Sequence, residues 1–162
     1  MSINWNRNQP IILHLRSVLP RVFPVLTEPG HGLHSSGIGG YIARTTRSGN
    51  FSAHSEGRAA DIFLNANDHY EAAVGCGLVK MFRLYATELG VHNVIWDRRI
   101  WSVSRGERQY TGSSHRNHIH VEFTRDGSQL RPVMLSVRLN IVLSGLSMEV
   151  IQYRRSVVAA GL

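Results

Sequence analysis

The sequence has few of the features that stabilise small secreted proteins or hold a chain in a membrane. Only one of its 162 residues, Cys76, is a cysteine, so no disulfide can form within the chain. We expect Cys76 to be a buried small residue in a helix. No run of about 18 apolar residues is present, which predicts no membrane span. The first ten residues also lack the pattern of a secretory signal, and we expect none.

Acidic residues are scarce as well. The chain has 11 of them against 18 lysines and arginines, which gives a formal net charge of +7. A basic surface attracts polyanions. The sequence contains no RNP signature, no Cys/His finger spacing and no basic helix interleaved with aromatics, so we do not expect a nucleic-acid partner. An anionic bacterial wall is the other candidate, and a merely solvated surface is the simpler explanation.

The length and the hydrophobic fraction of 43% are those of a globular domain with a core. Charged residues make up only 18% of the chain, which argues against disorder.

Four histidines and one aspartate lie in two short segments, S-A-H-S-E-G-R-A-A-D at 52–61 and H-R-N-H-I-H at 115–120. Imidazole nitrogen and carboxylate oxygen are common zinc ligands, and a catalytic zinc site has three protein ligands. We expect the metal ligands to be His54, Asp61 and His120.

The spacing fits this assignment. Arg58–Leu64 reads as a short strand that carries Asp61, and Gly57 permits a sharp turn before it. Polar and apolar residues alternate strictly in H-I-H-V-E-F at 118–123, which predicts a strand whose one face carries His118, His120 and Glu122. A lone histidine is more often a surface or core residue than a metal ligand. The prediction of a metal site therefore depends on both segments together. A cupin-type H-x-H metal site is disfavoured because Glu122 is too close to His120.

The first segment fills every position of the motif S-x-H-x-x-G-x-A-x-D, with Ser52, His54, Gly57, Ala59 and Asp61. In this the chain resembles the zinc D-alanyl-D-alanine peptidases of the lysostaphin/D-Ala-D-Ala/hedgehog group, the M15-like peptidases. The second segment resembles the H-x-x-H-x-H motif of their peptidoglycan endopeptidase branch, with His115, His118 and His120. The resemblance extends over about residues 41–123.

The resemblance implies a zinc-dependent hydrolase that cuts a peptide bond in peptidoglycan, as a D-Ala-D-Ala carboxypeptidase or a DD- or LD-endopeptidase. It implies His118 as general base and His115 as a second imidazole that stabilises the transition state or shares proton transfer. Some members use a glutamate base just before the last ligand, but no glutamate stands there in this chain. We expect Glu122 to orient a ligand instead.

Substrate contacts are predicted from the same resemblance. An arginine shortly before the first motif binds the substrate or the developing oxyanion in several branches, and Arg44 matches best by position. Arg47 is the alternative. Ser52 and Trp101 are further candidates for substrate contact, although Trp101 suits packing in a hairpin equally well.

The predicted fold is α+β: a small antiparallel β-sheet with flanking helices and a zinc site in a groove on the sheet, like that of the hedgehog and DD-peptidase domains. We expect a helix at 9–23 that ends at Pro20 and Pro24, and a main helix at 65–90. The segments 94–96 and 99–103 should form a hairpin turning at Asp97-Arg98. The remaining segments at 27–40 and 104–114 read as loops.

Two regions follow from this interpretation, a zinc DD-peptidase-like domain at 1–130 and an apolar C-terminal extension at 131–162. The extension covers the domain's own core or docks a partner, such as another phage tail protein. The hairpin sequence and the extension favour a phage protein on the virion tail that acts on the bacterial wall. Alternatives are a lysin, an injected antibacterial toxin, and a non-catalytic zinc-stabilised wall-binding or minor tail protein. Two imidazoles beyond the metal ligands favour an enzyme.

Overall fold

Six antiparallel strands form the centre of this protein in a computed structural model, which describes residues 4–28, 37–43 and 52–130. The strands lie in the order β1-β2-β6-β3-β4-β5 and are β1 Ile38–Gly39, β2 Ala59–Phe63, β3 Val91–Trp96, β4 Arg99–Ser102, β5 Gly106–Gln109 and β6 His118–Phe123. The helices are α1 Pro10–Val22, α2 His69–Leu84, α3 Ala86–Leu89 and α4 Arg125–Ser128, with a 3-10 turn at Pro24–Thr27. The expected α+β architecture is confirmed.

Strand β6 has one apolar face and one polar face. Its apolar residues Ile119, Val121 and Phe123 are fully buried and pack into the main hydrophobic cluster. The intervening polar residues lie on the opposite face, as period-two alternation requires. Helices α1 and α2 cover the apolar face, with Leu15 and Leu78 among the fully buried residues they contribute.

Strands β3 and β4 form the predicted hairpin. Asp97 and Arg98 have φ values of 39° and 64°. A two-residue turn of this kind has positive φ at both positions, which matches the right-handed twist of the strands. Strand β5, however, lies within the segment 104–114 that was expected to be a loop. It is a polar edge strand with the sequence G-E-R-Q, so hydrophobic alternation could not reveal it. Strand β1 likewise falls in the expected loop 27–40.

Helix α1 corrects the expectation that Pro20 ends it. The helix passes Pro20 and ends at Val22, and the Phe23 amide donates to the Leu19 carbonyl. Pro20 lacks the N–H that would donate to the Arg16 carbonyl, so the helix loses one hydrogen bond there and continues for two more residues.

The predicted main helix divides into α2 and α3 at Tyr85. Asp68 caps α2 by accepting from the Glu71 amide at 2.9 Å, and Gly90 ends α3 with φ 65°. A Cβ at Gly75 would lie 2.6 Å from the Trp96 ring, so this glycine lets α2 approach the sheet. The next residue, Cys76, is exposed, so the expectation of a buried cysteine was wrong.

The segment 131–162 lies outside the described residues, as do 29–36 and 44–51. None of the helices in the described ranges combines the length and apolar character that crossing a membrane requires.

Candidate metal centre

Three side-chain atoms converge on the face of the sheet opposite the core. His54 Nε2 lies 3.2 Å from Asp61 Oδ1 and 3.2 Å from His120 Nδ1, and the last two atoms are 2.9 Å apart. Tetrahedral zinc with ligand distances of about 2.0–2.2 Å separates its ligand atoms by about 3.3 Å. His54 is fully buried and His120 is 8% exposed. These three residues are therefore close enough together to hold a metal ion.

The sheet register brings two of the three together. Asp61 in β2 pairs directly with His120 in β6, and paired residues project on the same face. His54 comes from the turn before β2, where the Gly57 amide donates to the His54 carbonyl at 2.9 Å. Gly57 adopts φ 65°, which favours glycine. The turn at Gly57 and the short strand β2 thus bring the side chains of His54 and Asp61 close together.

Hydrogen bonds select the ring nitrogen that each histidine presents. His54 Nδ1 donates to the Gly40 carbonyl at 2.7 Å, so Nε2 is the ring nitrogen that faces Asp61. His120 Nε2 donates to Glu122 Oε1 at 3.1 Å, which leaves Nδ1 for the centre. In metal-binding histidines, the ring N–H that does not face the metal usually donates to a carbonyl or carboxylate in this way.

Glu122 is itself held in place. Its Oε2 accepts from Asn93 Nδ2 at 2.9 Å, and His92 Nδ1 and Arg58 Nη1 lie 3.3 Å and 3.9 Å from it. Burial would raise the pKa of Glu122, but the hydrogen bond and charge of His120, the hydrogen bond of His92 and the charge of Arg58 together lower the pKa to about 2. Glu122 is therefore an anion with a fixed position behind His120.

The same interactions control protonation without a metal. Burial alone would lower the pKa of His120, but hydrogen bonds to Asp61 and Glu122 raise the pKa to about 9. Burial would raise the pKa of Asp61, yet hydrogen bonds from His120 and His54 hold it well below its usual range. A metal ion that binds His120 must therefore displace a proton from Nδ1.

His118 lies beside the triad on the same face of β6. Its Nε2 is 3.8 Å from Asp61 Oδ1, while its Nδ1 donates to Asn117 Oδ1 at 2.8 Å. Burial lowers the pKa of His118 to about 4, so the imidazole is neutral at pH 7. The atom that faces the triad is consequently a nitrogen with a free lone pair.

His115 completes the group. Its ring centroid lies 4.6 Å from that of His118 and 5.9 Å from that of His120. Burial lowers its pKa, and its Nδ1 donates to the Ser113 carbonyl at 2.9 Å. The residue has φ 46°, and the β3–β4 turn holds this conformation because the Asp97 amide donates to the His115 carbonyl at 2.9 Å.

Comparison with known protein families gives one match: residues 27–121 fit the family model described as the VldE C-terminal domain. The chain belongs to the VldE C-terminal domain family. The matched segment covers more than half of the 162 residues and includes the triad together with His115 and His118. No curated protein and no solved structure matches the chain significantly.

Within this VldE C-terminal domain, the predicted substrate residues are more scattered than the predicted ligands. Ser52 is buried in the turn, where its Oγ accepts from the His54 amide at 3.3 Å. Arg44 and Arg47 lie outside the described residues. Trp101 pairs with Val94 on the helix-covered face and lines a cavity of about 650 Å³ there. The structure therefore does not bring Trp101 to the triad.

Sequence reasoning missed the neutral residues that hold the site, which include Asn93, Asn117, Ser113 and the Gly40 carbonyl. Asn117 precedes His118 directly, and that adjacency was the one available signal. The Asn93 contact depends on strand pairing across 29 residues, which no local pattern reveals.

Proposed function

We propose that this protein is a zinc-dependent peptidase that hydrolyses a peptide bond in bacterial peptidoglycan. The observation that carries the proposal is the convergence of three ligand atoms beside two further imidazoles, those of His115 and His118. Closed structural zinc sites use four protein ligands, whereas this cluster has three among the described residues. The two sequence motifs, which resemble those of zinc D-Ala-D-Ala peptidases, supply the substrate class.

His54, Asp61 and His120 would hold the zinc ion, and two imidazoles with one carboxylate suit a catalytic zinc. When bound, zinc supplies Lewis acidity, which polarises a carbonyl group and makes water acidic enough to ionise near neutral pH. Glu122 keeps His120 in the tautomer that presents Nδ1.

His118 is the proposed general base. It is neutral at pH 7, and Asn117 binds its Nδ1–H, so Nε2 is its basic atom. That nitrogen faces Asp61 and takes the proton from the attacking water. The same nitrogen then passes the proton to the leaving amine.

His115 is the proposed second imidazole. Its ring contacts that of His118, and the Ser113 carbonyl fixes its Nδ1–H, so Nε2 remains free to share proton transfer. The held backbone of His115 keeps the ring in place, which general acid–base catalysis requires.

Mass spectrometry of muropeptides released from purified peptidoglycan tests the proposal. Zinc-loaded protein should release fragments whose masses identify the bond, and chelated protein should release none. His118→Ala should lower the rate at least about 100-fold, because general base catalysis contributes that much. His69→Ala is the matched control, since His69 is an exposed histidine at the start of α2. Cleavage that persists with chelator, or in His118→Ala at the wild-type rate, would contradict the mechanism.

Tight zinc binding without cleavage would favour the second function, a non-catalytic zinc-stabilised wall-binding or tail-assembly protein. The virion tail as the site of action is part of the proposal and rests on the resemblance and on the apolar segment 131–162. Mass spectrometry of purified virions of a phage that encodes the protein would detect it there. Its absence from virions, with the peptidase active, would favour a lysin or a toxin.

A further inference from the structure

We propose that Arg108 binds a carboxylate of the substrate, so that the peptidase prefers an acidic peptide. The inference rests on the proposed function and adds a specificity residue to it. The sheet register is the first observation. His120 pairs with Ile95, Ile95 pairs with Ile100, and Ile100 pairs with Arg108.

Paired residues of an antiparallel sheet project on the same face. Arg108 in β5 therefore lies on the face that carries His120 in β6, at the far end of one row across the sheet. The order β6-β3-β4-β5 separates the two residues by three strand spacings. At about 4.8 Å per spacing, this distance is about 14 Å.

The hydrogen-bond partners of Arg108 are the second observation. On the other face of the same strands, Arg99 binds the Glu107 carboxylate with two nitrogens. Arg108 is half-buried, and in the described part of the chain it donates only to neutral atoms, Ser102 Oγ at 3.2 Å and the Gly106 carbonyl at 3.5 Å. A guanidinium has five N–H donors, so Arg108 has donors left for an anion.

The row between the triad and Arg108 is apolar. Ile95 is buried and Ile100 is half-buried, so neither competes for a charged group of the substrate. An extended peptide advances about 3.3 Å per residue, and 14 Å therefore spans about four residues. The substrate carboxylate should lie about four residues from the bond that is cut.

Two synthetic stem peptides test this inference. They contain the bond that wild-type protein cuts, and they differ only in a carboxylate or a carboxamide four residues from it. Wild-type protein should show a KM about tenfold or more lower for the acid, since a hydrogen-bonded charge pair contributes on that order. Arg108→Gln should lose this preference through a higher KM for the acid, while zinc affinity stays unchanged. The control is Arg105→Gln, an exposed arginine in the turn between β4 and β5, which should keep the preference.

A preference that survives in Arg108→Gln would overturn the inference. Calorimetric binding of the two peptides to zinc-loaded His118→Ala protein separates this inference from the proposed reaction, because it needs no turnover. The inference is supported if the His118→Ala protein binds the acid more strongly than the amide, and if this difference disappears in the double variant that also carries Arg108→Gln. Equal binding of acid and amide overturns it, whereas failure of the wild-type protein to cleave either peptide speaks against the peptidase.

Discussion

Replacing Gly57 by alanine tests whether the segment before α1 packs tightly against the turn that carries His54. Gly57 has φ 65°, and a Cβ there would lie 1.7 Å from the Arg7 carbonyl oxygen. The surrounding backbone is held on both sides. The Gln9 amide donates to the Gly57 carbonyl at 2.9 Å, and the Gly57 amide donates to the His54 carbonyl at 2.9 Å.

Three terms set the expected loss of stability. Left-handed backbone costs an alanine about 1–2 kcal/mol. Contacts between carbon and oxygen are normally about 3.3 Å or longer, so the new methyl group must push the Arg7 backbone away by more than about 1 Å. Such overpacking costs about 1–3 kcal/mol, and loss of the Gln9–Gly57 hydrogen bond adds about 1 kcal/mol. We expect Gly57→Ala to lower the free energy of unfolding by about 3–6 kcal/mol.

Gly106→Ala is the matched control. Gly106 has φ 63°, but a Cβ there would have nothing within 4 Å, so only the conformational term applies. Urea unfolding of both variants in chelator should show Gly57→Ala less stable than Gly106→Ala by at least about 2 kcal/mol. Zinc affinity should also fall in Gly57→Ala alone, because His54 shares its turn. Equal losses of stability in the two variants would refute the close approach of Arg7 to the turn.

Three further predictions concern the site and the surface. Glu122→Gln should weaken zinc binding about tenfold in a chelator competition, since it removes the anion behind His120, whereas Glu107→Gln on the other face should not. The metal-free protein should lose stability as pH rises above about 7.5: the pKa of His120 is about 9 when folded against 6.5 unfolded, so its contribution is full below pH 6.5 and is lost as pH passes 9. Urea midpoints at about pH 7.5 and about pH 9.5 in chelator measure this, because histidines whose pKa is lowered on folding, such as His118, are neutral in both states over that range. An unchanged or higher midpoint at the higher pH would contradict the prediction. Cys76 should react with a thiol reagent in folded protein as fast as in unfolded protein, and strong protection would contradict its exposure.

Features decided within a few residues could be predicted from the sequence. The alternation of β6 and the hairpin turn at Asp97-Arg98 each depend on local chemistry alone. The two motifs likewise identified three residues whose ligand atoms the structure brings together.

Features decided by pairing across the sheet could not be predicted. Trp101 was a candidate for substrate contact and equally for packing in the hairpin, and its register with Val94 turns it to the helix-covered face. The turn at Asp97-Arg98 fixes the register of Trp101 with Val94, but the face on which both residues project is set by the pairing of Val94 with Val121 in β6, which is distant in the sequence. Cys76 shows the same limit in a helix, because the contact of Gly75 with Trp96 decides which side of α2 faces the sheet.

The register also explains why the two histidines of one strand can have different roles. His118 and His120 lie on the same face of β6, yet they have different neighbours in β2, Phe63 for His118 and Asp61 for His120. The carboxylates of Asp61 and Glu122 hold a proton on His120, whereas burial keeps His118 neutral. Because one strand fixes both side chains, a base and a metal ligand built on it keep a constant separation. A shift of β6 by one residue against β2 would move both imidazoles into the core at once, so the chemistry proposed for this protein depends on that one strand pairing.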